Sequence, residues 1–482
     1  MIYLIAILAY LLVLTGIGIY KSRQVKTQAD FSVAGRSLAP WVLVCTMLAA
    51  WIGTGSIVGN AGKTYDSGLA ALILPIGSVI GMILLIRVAP RARSYEVYSV
   101  PEIIGARYGT VARLLAVTAL VIAYMVIVSY QFNAGGAVLN VILTNDAGES
   151  LLSLRWATVL AAAFIITYTI LAGLLSLAYA DVVTGTIITA SLLVAFPILW
   201  GKAGGWEGME ARFAQMAKPE HMKFWGVFST AQIINYILPV FLLIMGDANQ
   251  YQRFFASKSA KGAKSAVTFM VFAVLIVESL IILEAWVASS LIPDAAYGRY
   301  VLIYAAKNLM PTILGLFFLI TIVGIIISTA DSFLLIPSTS VIRDVYLNYI
   351  NPKASEKRVV FLSRLLVLTF GIIAYLVSLA FAKSTTIFQK ALYAYTIYGA
   401  AITPCLVAAL FWKHATKVGA ILSIVGGTAT ALAWSELNVV RNALPGWARE
   451  LDAVLPAITI SVLALVLGSL LTRPKDAKQK PT

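Results

Sequence analysis

Long runs of apolar residues, each long enough for one transmembrane helix, recur along this chain from end to end. A helix needs about 20 mostly apolar residues to cross the hydrocarbon core of a bilayer. Only 12% of the 482 residues are charged, whereas soluble domains are about 25% charged, so too little polar surface is left to face water. The chain is therefore predicted to be an all-α polytopic membrane protein, because helices satisfy their own backbone hydrogen bonds in lipid.

The apolar runs predict about thirteen transmembrane helices. Residues 202–227 form the longest polar segment, which is too short for a separate soluble domain. The whole chain, 1–482, is therefore predicted to be a single membrane domain. The predicted spans are 2–20, 41–66, 68–89, 114–142, 155–174, 181–201, 228–247, 266–291, 311–340, 361–382, 386–411, 416–435 and 452–472.

The charged residues predict how the chain is oriented. Lysine and arginine exceed aspartate and glutamate by 36 − 21 = 15. If the N-terminus lies outside, 24 of the 36 basic residues fall in segments predicted to be cytoplasmic, one of them 253–264. The basic tail 473–482 is then cytoplasmic as well. The excess therefore indicates orientation in the plasma (inner) membrane, and a nucleic-acid-binding surface is not expected.

The second span contains residues that weaken a membrane helix. Three glycines and three small polar residues lie between Trp51 and Asn60. A break here would free backbone carbonyls at mid-membrane depth, which lipid tolerates only where the backbone lines a cavity or is packed in protein. The alternative is a seam of small residues packed against another helix.

The seventh span carries Pro239 after Asn235 and Tyr236, and it ends in Gly246-Asp247. Proline removes one backbone donor and clashes with the preceding turn. This span opens a second set of five spans, as the glycine-rich span opens the first set. Interrupted segments at matching places in two halves are typical of inverted-repeat transporters with a midplane binding site.

The ninth span holds two adjacent hydroxyl residues and a carboxylate. Ser328 and Thr329 follow Ile325 by three and four residues, so both hydroxyls lie on the helix face of its carbonyl. Such a pair can instead bond back to its own helix. Asp331 is a functional candidate because an acid within a membrane helix costs at least about 2.5 kcal/mol to insert. Alternatively, Asp331 lies near the inner end of the span, where its side chain contacts water or Arg343.

The anomalies of the second and ninth spans together predict a cation site. A hard monovalent cation requires several oxygen ligands. Carbonyls released after Ala49 and the hydroxyls of Ser328 and Thr329 would supply them.

Short motifs spread over nearly the whole chain resemble the sodium:solute symporter family. They are Gly35-Arg36-Ser37-Leu38, Trp51-Ile52-Gly53-Thr54-Gly55-Ser56, Gly173 through Asp181, Gly246-Asp247 with Gln250 through Phe255, Ser328-Thr329-Ala330-Asp331-Ser332, Arg343-Asp344-Val345-Tyr346 and Tyr398-Gly399-Ala400-Ala401. The resemblance implies a leucine-transporter-like five-plus-five inverted repeat with one leading and two trailing helices. The leading helix and its loop would occupy 1–40, the first repeat 41–201 and the second repeat 228–411. The trailing helices would occupy 412–472, followed by the tail 473–482.

The resemblance also implies two ion sites. The sodium site would use the carbonyls of Ala49, Ile52 and Ile325 and the hydroxyls of Ser328 and Thr329. A second cation or a proton would bind at Asp181, Asp331 and Ser332. Asp331 stands where the family places a hydroxyl, which makes this chain different there. Asp181 can alternatively be the N-cap of the sixth span.

The solute is expected beside the break of the second span, facing the fourth, seventh and eleventh spans. The candidate lining residues are Trp51, Gly53, Ser56, Gln131, Asn133, Asn235, Tyr236, Tyr395 and Tyr398. For each the alternative is helix packing or an interfacial aromatic role. Glu278 and Glu284 are six residues apart on the eighth span and are given no role.

These observations predict a sodium-coupled symporter that imports a small organic solute by alternating access and is not an enzyme. A proton-coupled carrier of the same fold is the alternative, with Asp331 or Asp181 holding the proton. A channel is less consistent with localised breaks at two matching points. A sensory membrane domain is less expected because no signalling module follows residue 472. The solute, the stoichiometry and the oligomeric state, for which a monomer is one option, are left open.

Overall fold

A computed structural model of the chain describes residues 2–22, 26–144, 150–171, 173–381, 386–437 and 451–473. Every named element in these residues is helical, which confirms the all-α prediction. The predicted basic tail lies outside the described residues, except for Arg473.

Most of the chain is in long helices. These are α1 Ile2–Ser22, α3 Pro40–Trp51, α5 Ile76–Arg93, α7 Thr110–Ile142, α8 Leu154–Leu171, α9 Leu174–Ala203, α11 Thr230–Gly246, α13 Ala260–Leu291, α15 Thr312–Ser340, α16 Glu356–Phe381, α17 Ile387–Phe411, α18 Lys417–Glu436 and α19 Val454–Leu471. Shorter helices connect or extend them: α2 Gln28–Val33, α4 Ala61–Ser67, α6 Val100–Tyr108, α10 Gly205–Gln215, α12 Ala248–Ala256 and α14 Val301–Asn308.

Eleven helices in the described residues are long and apolar enough to cross a membrane, or twelve if the bent second span is counted as one. The predicted number of thirteen is therefore not confirmed. The predicted span that is missing from this set is the third, which corresponds to α5. α5 carries Arg87, Arg91 and Arg93 in its last two turns, so it is less apolar than the other spans.

The second span is broken, as its glycines predicted. α3 ends at Trp51, helical structure resumes at Gly55, and the two pieces are bent by 49°. The second piece continues to Ile73, so the predicted boundary between 66 and 68 was wrong. α5 begins at Ile76, directly after Pro75.

The seventh span is interrupted at Asp247 and not at Pro239. Pro239 lies inside α11, which continues for seven more residues to Gly246. α12 then begins after Asp247, whose side chain accepts a hydrogen bond from the amide of Asn249 at 3.0 Å. The predicted interruption exists, but a cap at the end of the helix produces it.

Two tyrosines hold this second break in place. The hydroxyl of Tyr124 on α7 donates to Asp247 Oδ1 at 2.7 Å. The hydroxyl of Tyr398 on α17 donates to the carbonyl of Gly246 at 2.9 Å and accepts from the amide of Ala248 at 3.2 Å. The backbone groups freed at the break are thus satisfied by buried side chains, as lipid-embedded backbone requires.

Close helix packing yields a first testable prediction. Gly77 on α5 packs so tightly against α11 that a methyl group there would overlap the carbonyl oxygen of Ile237. Gly77→Ala should lower the free energy of unfolding by about 1–3 kcal/mol, because the backbone of α11 must move. Thermal unfolding in detergent measures the effect. Gly16→Ala is the matched control, since nothing lies within 4 Å of that methyl position. Equal melting temperatures for the two variants would contradict the prediction.

Candidate functional site

The end of α3 exposes backbone carbonyls inside the protein. The amide of Ile52 donates to the carbonyl of Leu48 at 2.8 Å, which is the last bond of the α-helical pattern. Hydrogen bonding resumes at Gly53, whose carbonyl accepts from Ser56 at 3.1 Å and from Ile57 at 3.0 Å. The carbonyls that follow Leu48 in α3 are helix-end groups without intrahelical partners. Ala49 and Ile52 are both buried.

α15 brings its two hydroxyls to this break. A methyl group at Gly53 would lie 3.1 Å from Thr329 Oγ1 and 3.0 Å from Thr329 Cγ2, so glycine permits the close approach. Thr329 Oγ1 is buried and forms no hydrogen bond with the residues that the structure describes. Ser328 Oγ donates to Asp181 Oδ1 at 2.5 Å, which leaves its oxygen lone pairs available.

These oxygen atoms can coordinate a monovalent cation. A buried hydroxyl oxygen without a partner, a second hydroxyl and helix-end carbonyls form a set of oxygen ligands, which is the chemistry that a hard cation prefers. Ile325 is fully buried on the same helix, one turn before Thr329. The structure thus places the five predicted sodium ligands on the two elements that meet at the break, and their assignment as ligands stays a prediction.

A glutamine from α7 reaches the same break. Gln131 Oε1 accepts a hydrogen bond from the hydroxyl of Thr54. Gln131 Nε2 is buried, has no partner among the described side chains, and lies 3.5 Å from the methyl position of Gly53. This unpaired donor lies at the break, beside which the sequence predicts the solute.

A small cavity borders the break and has a volume of about 30 Å³, room for about two water molecules. Four predicted lining residues, Trp51, Ser56, Tyr236 and Tyr395, line this cavity, which is the candidate solute cavity. The other lining residues are Gly55, Asn60, Leu74, Pro75, Ser78, Val240, Glu278, Phe388, Ala391 and Leu392.

The remaining predicted solute residues lie outside the solute cavity. Asn133 Nδ2 donates to the carbonyl of Ser378 on α16 at 3.4 Å. The hydroxyl of Tyr398 donates to the carbonyl of Gly246 at the break before Asp247. Asn235 is buried on α11 with its Oδ1 unpaired in the described structure.

Glu278 also lines this cavity, although the sequence assigned it no role. Its Oε1 accepts from the hydroxyl of Ser56 at 2.6 Å, and its Oε2 accepts from Asn60 Nδ2 at 3.3 Å. The side chain is almost fully buried on α13. Its position within an apolar span was the available signal, because an intramembrane acid is a functional candidate by default.

Asp181 lies inside α9 and is not an N-cap. α9 begins at Leu174, so the expected start at 181 was wrong and Asp181 stands two turns into the helix. Besides Ser328, Asp181 accepts at Oδ2 from the hydroxyl of Thr46 at 2.5 Å. Its carboxylate therefore links α3 to α15 through two hydroxyl groups.

Arg253 lies where the second cation was expected. Its Nη2 donates to Ser332 Oγ at 2.8 Å and lies 3.7 Å from Asp181 Oδ2. The sequence counted Arg253 among the cytoplasmic basic residues, but α12 carries it into the core, where it is fully buried. Its positive charge thus contacts two of the three predicted second-site residues.

Asp331 is fully buried and does not reach the inner surface. Its Oδ1 accepts from the hydroxyl of Thr169 on α8, whereas its Oδ2 has no hydrogen-bond partner in the described part of the chain. Arg343, the other partner considered, lies 3.7 Å from Glu102. The alternative position for Asp331 was therefore wrong.

Comparison with known proteins identifies related sequences over nearly the full length. The sodium:solute symporter family model matches residues 31–427. The chain is similar to the osmoregulated proline transporter of Bacillus subtilis (strain 168), with 26% identity over 98% of this chain and 95% of that protein. It is also similar to the sodium/proline symporter of Haemophilus influenzae, with 26% identity and the same coverage of both chains.

Solved structures support the fold. A Na⁺-coupled sialic acid symporter, solved in a substrate-bound outward-open state, superimposes with a TM-score of 0.81 at 17% identity over 98% of both chains. MhsT, solved in complex with L-phenylalanine, superimposes with a TM-score of 0.55 at 14% identity over 89% of this chain and 97% of that one. The leucine-transporter-like fold is thereby confirmed. Since the family model covers most of the chain, this protein belongs to the sodium:solute symporter family.

Proposed function

We propose that this sodium-coupled solute symporter imports proline or a similarly small amino acid. The relatives quoted above are proline transporters that match the chain over nearly its whole length. The observation that carries the sodium part is the unpaired hydroxyl of Thr329 at the break of the second span.

In this proposal Na⁺ binds between α3 and α15. The carbonyls of Ala49, Ile52 and Ile325 and the hydroxyls of Ser328 and Thr329 are its ligands. Binding from outside ties the two elements together and favours the outward-open state, and solute binding then allows the gates to exchange. Coupling is the difference in ion and solute affinity between the two states. At about −100 mV, one Na⁺ contributes about 2.3 kcal/mol to import.

We also propose that one Na⁺ is bound per cycle. Asp181 and Ser332 would contribute to a second cation site, but the guanidinium of Arg253 contacts both. A resident positive charge there repels another cation. Asp331, next to Ser332, is then not a cation ligand and can hold a proton. A proton-coupled carrier is therefore the second candidate.

The proposed orientation follows the basic residues, with the N-terminus outside and the C-terminus in the cytoplasm. The two five-span repeats are proposed to occupy 41–201 and 228–411, between the leading helix and the trailing helices.

Uptake by purified protein in proteoliposomes tests this function. An inward Na⁺ gradient should drive accumulation of L-proline well above that seen with an equal K⁺ gradient. A collapsed proton gradient should leave that accumulation unchanged. Uptake that follows the proton gradient and ignores Na⁺ would contradict sodium coupling and favour the proton-coupled carrier.

A further inference from the structure

Glu278 presents a carboxylate to the solute cavity. It lies close to the centre of α13, a 32-residue helix, and only 3% of its surface is exposed. Its polar contacts, the hydroxyl of Ser56, the amide of Asn60 and the indole of Trp51, are all neutral donors. A carboxylate has about four acceptor positions, so it can still accept a further donor.

The solute cavity provides no positive charge to balance this carboxylate. Lysine and arginine are absent from the residues that line the cavity in the described structure. Lys63 lies nearby, but its Nζ contacts the rings of Phe228 and Tyr236, and Lys63 is not a lining residue. A buried charge is costly unless it is paired, so an ionised Glu278 requires a cation from outside the protein.

The walls of the same cavity are aromatic. Trp51, Tyr236, Phe388 and Tyr395 all line it, and the rings of Tyr236 and Phe388 meet edge to face with centroids 5.3 Å apart. Aromatic faces attract organic cations, and the attraction increases when water is excluded. A cavity lined by a carboxylate and by aromatic rings is a suitable environment for a substituted ammonium group.

We infer that Glu278 binds the ammonium group of the transported solute and restricts transport to solutes that carry a positively charged nitrogen. This inference rests on the proposed function, because it assigns a solute to the same cavity. It excludes sugars and simple carboxylates, which would leave the carboxylate unpaired or repel it. It also makes Ser56 and Asn60 positioning residues, since their donors orient the carboxylate.

Competition against Na⁺-driven proline uptake tests the inference with two probes that separate the charges of proline. Pyrrolidine retains the ring ammonium and lacks the carboxylate, whereas tetrahydrofuran-2-carboxylate retains the carboxylate and replaces the nitrogen with oxygen. Pyrrolidine should compete, and tetrahydrofuran-2-carboxylate should not. Competition by the oxygen analogue with none by pyrrolidine would overturn the inference.

Variants locate the effect at Glu278. Glu278→Gln keeps the size of the side chain and removes its charge, so it should weaken proline binding by about 30-fold or more. Glu278→Asp keeps the charge and should retain the preference for ammonium solutes. Glu284→Gln, which changes another buried acid of α13, should leave binding unchanged. Equal proline affinity in Glu278→Gln and the unaltered protein would overturn the inference.

Thermal shift of the purified protein separates this inference from the proposed function. Stabilisation by Na⁺ alone reports the ion site and should persist in Glu278→Gln. If the unaltered protein is stabilised by Na⁺ but ammonium compounds add nothing, the role of Glu278 fails while sodium coupling stands. If Na⁺ has no effect and ammonium compounds stabilise the unaltered protein but not Glu278→Gln, sodium coupling fails while the role of Glu278 stands.

Discussion

Replacing both Ser328 and Thr329 with alanine should abolish sodium-stimulated uptake. The double variant removes two of the five proposed oxygen ligands, including the hydroxyl of Thr329 that has no other partner in the described structure. Mutating residues that only hydrogen-bond to metal ligands typically lowers metal affinity roughly 10–100-fold. Loss of the ligands themselves should reduce Na⁺ affinity further. The Na⁺ concentration for half-maximal uptake and the Na⁺-induced rise in melting temperature both measure this effect.

Thr321→Ala is the matched control for this variant. Thr321 lies on the same helix, is buried, and also has an unpaired hydroxyl among the described residues, but it is two turns away from Thr329. Its replacement should leave the Na⁺ dependence unchanged. Sodium-stimulated uptake that survives in Ser328→Ala/Thr329→Ala would show that the cation binds elsewhere.

Removing the charge of Arg253 should have the second large effect. Arg253→Met leaves Asp181 buried at 1% exposure without its positive partner. Breaking a buried ion pair in this way costs about 3–5 kcal/mol of stability. Asp181→Asn in the same protein removes the uncompensated charge, so the double variant should be more stable than Arg253→Met. Melting temperatures of the unaltered protein, Arg253→Met, Asp181→Asn and the double variant in detergent measure the coupling.

Sodium activation of uptake checks the same residue in the folded protein. If the guanidinium replaces a second cation, the unaltered protein should show hyperbolic Na⁺ activation with a Hill coefficient of about 1. A coefficient near two in the unaltered protein, or additive losses of stability in the double variant, would contradict the role given to Arg253.

Most of the spans and the break of the second span were predictable because both are local properties. Apolar runs of membrane length and a cluster of glycines around Gly53 act within one segment. The joint site of Ser328 and Thr329 was also accessible, since helical spacing places both hydroxyls on one face. The break near Asp247 was predicted in the correct span, but its cause was assigned to Pro239, which a membrane helix can accommodate.

The misplaced residues depend on contacts between distant segments. The sequence predicts Arg253 to be a cytoplasmic basic residue. In the structure, α12 places it beside Asp181 and Ser332. Glu278 has no recognisable motif, and its role appears only when α13 lies against Ser56. In both cases the partner stands 70 or more positions away in the sequence, where periodicity carries no information.

The small volume of the solute cavity also affects how binding constants should be understood. At about 30 Å³ it holds about two water molecules, and a solute of amino-acid size enters only after the surrounding helices separate. The apparent Kd is then the intrinsic Kd divided by the fraction of molecules that are open. Any factor that shifts this closed-to-open equilibrium, including the composition of the lipid, changes the measured affinity without altering one contact to the solute.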